Sequence, residues 1–213
     1  MKKVYIGVGH GGKDPGCTGN GYKEKDLNLA IAKAVMATLT RHGVAVKISR
    51  TKDQDKELAD RIAECNTYKP DLALDIHNNA GGGDGAEVYY YHGGGTSKTL
   101  ATNVLTEITR IGQNSRGIKT KMGSGGQDYF GFIREISAPS VIVECAFVDN
   151  KTDVIRLVLQ DPRLAGKRIL MVGDRQDDMQ GAVNNQLPAA AVLYGYGSRE
   201  EMEPWNPVLL AQN

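Results

Sequence analysis

Apolar and polar positions along this chain alternate between two periods. "KKVYIGV" (2–8) is a short apolar run rich in β-branched and aromatic residues, which predicts a buried strand. A polar, glycine-rich stretch follows, from Gly9 to about Asp26. Leu27, Ala30, Ile31, Ala34, Val35 and Leu39 then recur at helical spacing, with Asp26 placed to cap the helix and Gly43 to stop it. "VAVKISR" (44–50) alternates as a strand does, and "KELADRIAECNTY" (56–68) reads as a second helix. "DLALDIH" (71–77) is a third strand ending in histidine, and "AEVYYY" (86–91) a fourth, aromatic and β-branched. Leu100, Val104, Leu105, Ile108 and Ile111 share one side of a helix over 97–111. Residues 140–148 form a nearly continuous apolar strand interrupted by Glu144.

Strands alternating with helices imply an α/β domain around a largely parallel or mixed sheet. Past about Leu159 the pattern changes. "DPRLAGKRILMVGDRQDDMQGAVNNQLPAAAVLYGYGSREEM" offers strand, loop, helix, strand and helix, and "EPWNPVLLAQN" closes the chain with two prolines. A boundary near 160 is therefore expected, dividing the chain into 1–160 and 161–213.

Composition narrows the function classes. With 40% hydrophobic residues among 213, the chain can bury a core, and its formal net charge of +1 gives no bulk electrostatic case for nucleic acid or an anionic membrane. No run approaches the ~18 apolar residues of a membrane span. Lys2 and Lys3 resemble the start of a signal peptide, but "VYIGVGHGG" has neither the apolar region nor the cleavage site, so no leader is expected here. The three cysteines, Cys17, Cys65 and Cys145, are odd in number and lack a C-x-x-C pair, which favours structural thiols. Cys17 alone lies beside candidate chemistry.

That chemistry begins in "GVGHGGKD" (7–14), which satisfies the dinucleotide pattern G-x-G-x-x-G. A phosphate site needs a helix starting at the glycines and an acid about 20 residues further on. Here the helix waits until about Leu27 and the second strand ends in Ser49 and Arg50, so the context is missing. A metal is the other reading. His10 and His77 both stand at strand ends, where ligands gather in open α/β sheets, and Glu24 lies just before the first helix. Two imidazoles and a carboxylate leave one tetrahedral Zn²⁺ position open for water. Glu144, an acid in an apolar strand, is a candidate general base, because burial raises a carboxyl pKa. Each residue also has a plainer reading: edge histidines, a solvated loop acid, a salt-bridged core acid. His42 reads as a helix-terminal charge and His92 as loop. The spacing alone leaves these alternatives open.

"GHGGKDPGCTGNGYKEKDLNLAIA" resembles the opening of the zinc-dependent N-acetylmuramoyl-L-alanine amidases of type 3. The resemblance continues through "RTKDQDKELADRIAECN", "DLALDIHNNA", "NSRGIK" and "GFIREISAPSVIVECAFVDN", over about residues 2–155. It implies a twisted, mostly parallel sheet flanked by helices, zinc on His10, Glu24 and His77, and catalysis by Glu144. Asn79 and Arg134 match further family positions. The implied substrate is peptidoglycan, cut between N-acetylmuramic acid and L-alanine, on the cell-wall side of the membrane; phage-type release or a missing leader would reconcile that place with the absence of a signal. Asp75 departs from the family, which has a small hydroxyl residue there. It reads either as a carboxylate holding a ligand histidine from behind or as a strand-edge acid with a surface partner.

A second departure is at the C-terminal end. Only "KTDVIRLVLQ" remains of the family's closing helix, and "KRILMVGDRQDDMQGA" with "VLYGYGSREE" resembles part of the haloacid-dehalogenase-like phosphatases of the phosphoglycolate phosphatase type. There Asp174 and Asp178 would help hold Mg²⁺. That family's nucleophile motif, a D-x-D closing a first apolar strand, is absent, so 161–213 is expected to be a non-catalytic fragment. Phosphatase activity from this segment, and a cell-wall-binding module without catalysis, are the rival readings.

Overall fold

The computed structural model describes residues 1–159 and 162–212. It divides into two compact units, Met1–Asp149 and Asn150–Asn213. In the first, the chain runs β1 (Lys3–Val8), β2 (Thr18–Gly19), β3 (Tyr22–Lys23), α1 (Glu24–Arg41), β4 (Ala45–Ile48), α2 (Leu58–Tyr68), β5 (Leu72–Asn79), β6 (Ala86–Tyr90), α3 (Gly95–Arg110), β7 (Ser115–Lys119), α4 (Gly131–Glu135) and β8 (Ser140–Phe147). Six strands form one sheet in the order β4-β1-β5-β8-β6-β7. Every neighbouring pair is parallel except β6 with β8. β2 and β3 form a small antiparallel ladder of their own.

The period of two along each strand sorts side chains onto two faces. Val4, Ile6 and Val8 of β1, Ile76 of β5 and Val141, Val143 and Cys145 of β8 pack with Ala32 of α1 and Ala101 and Leu105 of α3. The intervening residues Tyr5, Ala73 and Ile142 pack on the other side with Ile62 and Cys65 of α2 and Phe132, Ile133 and Ile136 at α4. The second face is not apolar throughout. In register, His77 stands opposite Glu144, and Glu144 opposite Glu87, so one row of polar side chains crosses three adjacent strands.

One expectation is corrected here. Asp26 does not cap α1; the helix starts two residues earlier, after Lys23, with no side-chain cap. Loop carbonyls do that work instead: the Glu24 N–H donates to Cys17 O at 2.9 Å and the Lys25 N–H to Pro15 O at 3.1 Å. Glu24 is thereby a residue of the first helical turn rather than of the loop. The division into compact units lies at Asp149/Asn150. The helix α5 (Lys151–Val158) belongs to the second unit.

That unit continues with β9 (Met171–Gly173), α6 (Gln176–Asn184), β10 (Ala189–Val192), α7 (Arg199–Met202) and β11 (Leu209–Ala211), its strands parallel in the order β11-β10-β9. α5 is tied to α6 by Lys151 Nζ to Asp178 Oδ1 (2.7 Å) and by Asn185 Nδ2 to Thr152 O (3.1 Å). Residues 209–211, read from sequence as part of a tail, are a strand too short to show a period. The buried apolar cluster is Met179, Ala182, Ala189, Ala191 and Met202, three of them alanines that bury little area each.

Two measurements follow. Phe132 is almost fully buried between α4 and the sheet, so Phe132→Ala is expected to lower the stability of the first unit by about 3–5 kcal/mol, read by urea denaturation. Amide exchange is expected to be faster in β9 to β11 than in β1, β5 and β8, because the smaller apolar cluster supports less local stability. Equal protection would contradict this.

Candidate metal centre

The first strand ends in glycines because the groups around it come too close for side chains. A Cβ on Gly9 would lie 2.3 Å from the His77 ring, and one on Gly16 would lie 2.5 Å from Glu24 Oε2 and 2.7 Å from the His10 ring. Between them His10 adopts a left-handed backbone, φ 59°, uncommon for a residue with a side chain. The loop is fastened from the neighbouring elements. Ser49 Oγ accepts the Val8 N–H, Arg50 Nη2 donates to Gly9 O and Lys25 O, and Asp53 accepts the Gly12 N–H at 2.7 Å. Asp55 accepts the Lys13 N–H. The "GVGHGG" glycines thus surround side chains of the protein itself.

Those side chains converge. Glu24, 3% exposed, places Oε2 3.1 Å from His10 Nε2 and Oε1 2.9 Å from His77 Nδ1. The two imidazoles meet edge to face, centroids 5.0 Å apart. One ligand atom from each of His10, Glu24 and His77 lies within 4.8 Å of the others, and among the described residues they are the one His/Cys/Asp/Glu group so arranged. Glu24 also accepts the amides of Cys17 (2.9 Å) and Asn78 (3.1 Å) and the side chain of Asn28 (3.2 Å). Burial works against its charge, but the histidines and the amides hold its carboxyl far below the ordinary range. His10 and His77 are both raised: for His10 the hydrogen bond with Glu24 leads, while for His77 burial is outweighed by Asp75 and Glu24, to about 10. A carboxylate kept ionised between two imidazoles is a donor set suited to a divalent cation.

The outer ring nitrogens also face carboxylates. Asp14 Oδ2 lies 2.7 Å from His10 Nδ1, and Asp75 Oδ2 lies 3.5 Å from His77 Nε2. Asp75 is 1% exposed and takes both its oxygens to Arg61 Nη1 of α2, at 2.6 and 2.8 Å. Its partner is therefore a buried arginine, which excludes the strand-edge acid with a surface partner. A cleft of about 180 Å³ opens here, lined by His10, Asp14, Lys56, Arg61 and His77 among others.

Glu144 stands in register with His77 on the same face. Its Oε2 is buried with no hydrogen-bond partner. Burial, with Glu24 and Glu87 nearby, pushes its carboxyl up to about 7 against the pull of His77. Asn79 joins neither histidine: its Nδ2 donates to Glu87 Oε1 at 3.2 Å. Arg134 holds the chain before α4, through Asp128 O (2.9 Å) and Tyr129 O (3.2 Å), and pairs with Glu135. Cys17 points its thiol at the carbonyls of Asn78 and Asn79, and burial with Glu24 pushes it up to about 12, so it stays a neutral thiol. His92 pairs with Asp128.

Sequence reading missed Asn28, Asn78, Arg50 and Asp14. Asn28 lies one helical turn after Glu24, a spacing that could have marked a shared face. Asn78 sits on the opposite face of β5 from His77, and its backbone N–H and its bond to Asn28 (2.8 Å) tie it to the centre.

In the second unit, Asp178 accepts the amides of Asp174 and Arg175, and Asp174 accepts the Tyr196 N–H at 2.8 Å. Asp178 thus binds the amides ahead of α6 and Asp174 a loop amide distant in the chain.

Comparison with known proteins agrees with the geometry. The model of the family described as N-acetylmuramoyl-L-alanine amidase matches residues 4–168, and one described as HAD-hydrolase-like matches residues 151–213. The chain is 38% identical over 161 residues to the sporulation-specific N-acetylmuramoyl-L-alanine amidase of Bacillus subtilis (strain 168), covering 74% of this chain and 60% of that protein. It is 39% identical over 165 residues to the endolysin of Bacillus phage SPP1, covering 73% and 58%. This chain thus spans about three-fifths of the length of these curated relatives. The solved structure of N-acetylmuramoyl-L-alanine amidase AmiC2 of Nostoc punctiforme superimposes with a TM-score of 0.66 at 32% identity, covering 75% of this chain and 87% of that one. With its mixed six-stranded sheet, its convergent His–Glu–His group and this match over most of its length, the chain belongs to the N-acetylmuramoyl-L-alanine amidase family.

Proposed function

We infer that this protein is a zinc-dependent peptidoglycan amidase. It hydrolyses the bond between the lactyl group of N-acetylmuramic acid and the L-alanine of the stem peptide. The observation that carries the reading is the buried carboxylate of Glu24 between His10 and His77, one sheet position away from a partly buried Glu144 with an unpartnered oxygen. The fit to zinc rests on the donor set: two imidazole nitrogens and one carboxylate oxygen within 4.8 Å of one another. When bound there, zinc would supply Lewis-acid polarisation of the carbonyl and a more acidic water.

The protein's own groups would do the rest. Glu144, with its proton affinity raised towards neutrality, takes a proton from the attacking water and delivers it to the departing L-alanine nitrogen. Asp14 and Asp75 face the outer nitrogens of His10 and His77 and orient the rings. Asn79 and Arg134 act through neighbours: Asn79 on Glu87, Arg134 on the chain entering α4. The names of the relatives, a sporulation amidase and a phage endolysin among them, support a substrate in the cell wall. Among the described residues no helix is long and apolar enough to cross a membrane. The first unit alone would carry the activity. The second would be a non-catalytic appendage, consistent with the engagement of Asp174 and Asp178 by backbone amides.

The test is release of stem peptides from purified peptidoglycan, followed by mass spectrometry. Activity is expected to vanish with chelator and return with zinc; indifference to complete metal removal would overturn the reading. Glu144→Gln is expected to lower kcat by about 10²–10⁴-fold while zinc stoichiometry stays at the wild-type level. His77→Ala is expected to lose the bound zinc as well, measured by elemental analysis after dialysis. With a generic phosphate ester and Mg²⁺ no turnover is expected; turnover abolished by Asp174→Asn would restore the phosphatase reading.

A further inference from the structure

The motif N-S-R-G-I-K (114–119) takes no part in the metal centre, yet its two cations converge on the same face of the sheet. The row His77–Glu144–Glu87 crosses three neighbouring strands. At the usual strand spacing Glu87 lies about 5 Å from Glu144 and about 10 Å from His77 along the row. Lys119 of β7 stands opposite Tyr89, two residues beyond Glu87 on that face.

Glu87 is an acid only 2% exposed. It accepts Arg116 Nε at 2.9 Å, the Tyr89 hydroxyl at 2.9 Å, Asn79 Nδ2 at 3.2 Å, and Lys119 Nζ. One cation would neutralise it, and two are present. Their side chains stay 37% and 34% exposed, so the cluster carries a surplus positive charge within reach of solvent. The Arg116 guanidinium lies over the Phe147 ring, 4.7 Å from its centroid, and gives Glu87 only its Nε. Among the described residues neither of its terminal nitrogens has a protein hydrogen bond. A planar fork held by one edge and by stacking presents its remaining donors in the geometry a carboxylate accepts.

The substrate class of the preceding section has a carboxylate at the matching distance. The second stem residue, a D-glutamate joined onward through its γ-carboxyl, keeps an α-carboxylate that is free or amidated. Bond lengths and Cα spacing put it about 6 Å from the scissile nitrogen, comparable to the step from Glu144 to the Glu87 cluster.

We propose that Arg116 and Lys119, held by buried Glu87, form a subsite for the α-carboxylate of the second stem residue and select stems in which it is free over stems in which it is amidated. This rests on the amidase reading. Loss of that charge removes a charge-assisted contact, so a preference of about tenfold in kcat/KM is expected, carried mainly by KM.

The experiment compares zinc-loaded wild-type protein on peptidoglycan prepared with D-glutamate or with its α-amide at the second position. Wild type is expected to favour the carboxylate form, Lys119→Gln and Arg116→Gln to bring the ratio near one, and Lys119→Arg to keep it. A folding defect would lower both rates and leave the ratio in place. Calorimetry with the free dipeptides L-Ala-D-Glu and L-Ala-D-Glu α-amide on the Glu144→Gln protein provides a second reading, in which only the acid is expected to bind measurably. Cleavage of both forms at equal kcat/KM by wild type, or a ratio unchanged in Lys119→Gln, overturns the subsite and leaves the amidase reading standing. Cleavage of neither form overturns both.

Discussion

The first unit is organised around one buried carboxylate. Glu24 leaves the first turn of α1, reaches the strand ends, and there meets two histidines and two backbone amides. An ionised carboxylate in such a place is expensive unless every oxygen is satisfied. Much of the surrounding architecture meets that demand. The folded-back loop supplies the Cys17 amide, β5 supplies His77 and the Asn78 amide, and Asn28 adds a donor from the next turn of the helix. The tight loop, the early start of α1 and the glycines at Gly9 and Gly16 all follow from bringing those donors to one point.

The sheet face beneath it has a further buried acid, Glu87, satisfied in a different way. Glu24 is neutralised by groups that a cation could use, whereas Glu87 is neutralised by an arginine and a lysine that leave charge exposed. Glu144 lies in register between His77 and Glu87 and lacks a partner for one oxygen. Three carboxylates, one from α1 and two from neighbouring strands, therefore have three different electrostatic settings. Environment, rather than residue type, sets these acids apart.

The second unit contrasts with this. Asp174 and Asp178 are engaged by backbone amides: Asp178 accepts those at the start of α6, and Asp174 accepts the Tyr196 N–H. Its cluster is small, and α5, which the sequence assigns to the amidase-like part, joins it through Lys151 and Thr152. Side-chain complementarity between α5 and α6 decided that grouping: Ile155 Cδ1 lies 2.7 Å from where a Cβ on Gly181 would be, so the glycine lets the helices approach.

What the sequence determined by itself was local and periodic. Apolar runs or alternation located β1, β4, β5, β6 and β8, and helical spacing located α1, α2 and α3, because burial imposes a pattern on the chain. The residue types His10, Glu24, His77 and Glu144 could be named as candidates, since strand-end imidazoles and an acid in an apolar strand stand out against their neighbours. Spacing left unstated that Glu24 would open the helix, that Asp75 would find a buried arginine, and that β6 would run antiparallel to β8. Each depends on a partner distant in the chain: the Cys17 and Pro15 carbonyls for Glu24 and Lys25, Arg61 for Asp75, the β8 ladder for β6. Hydrogen bonds and ion pairs have no period in sequence, so only the tertiary structure could decide them.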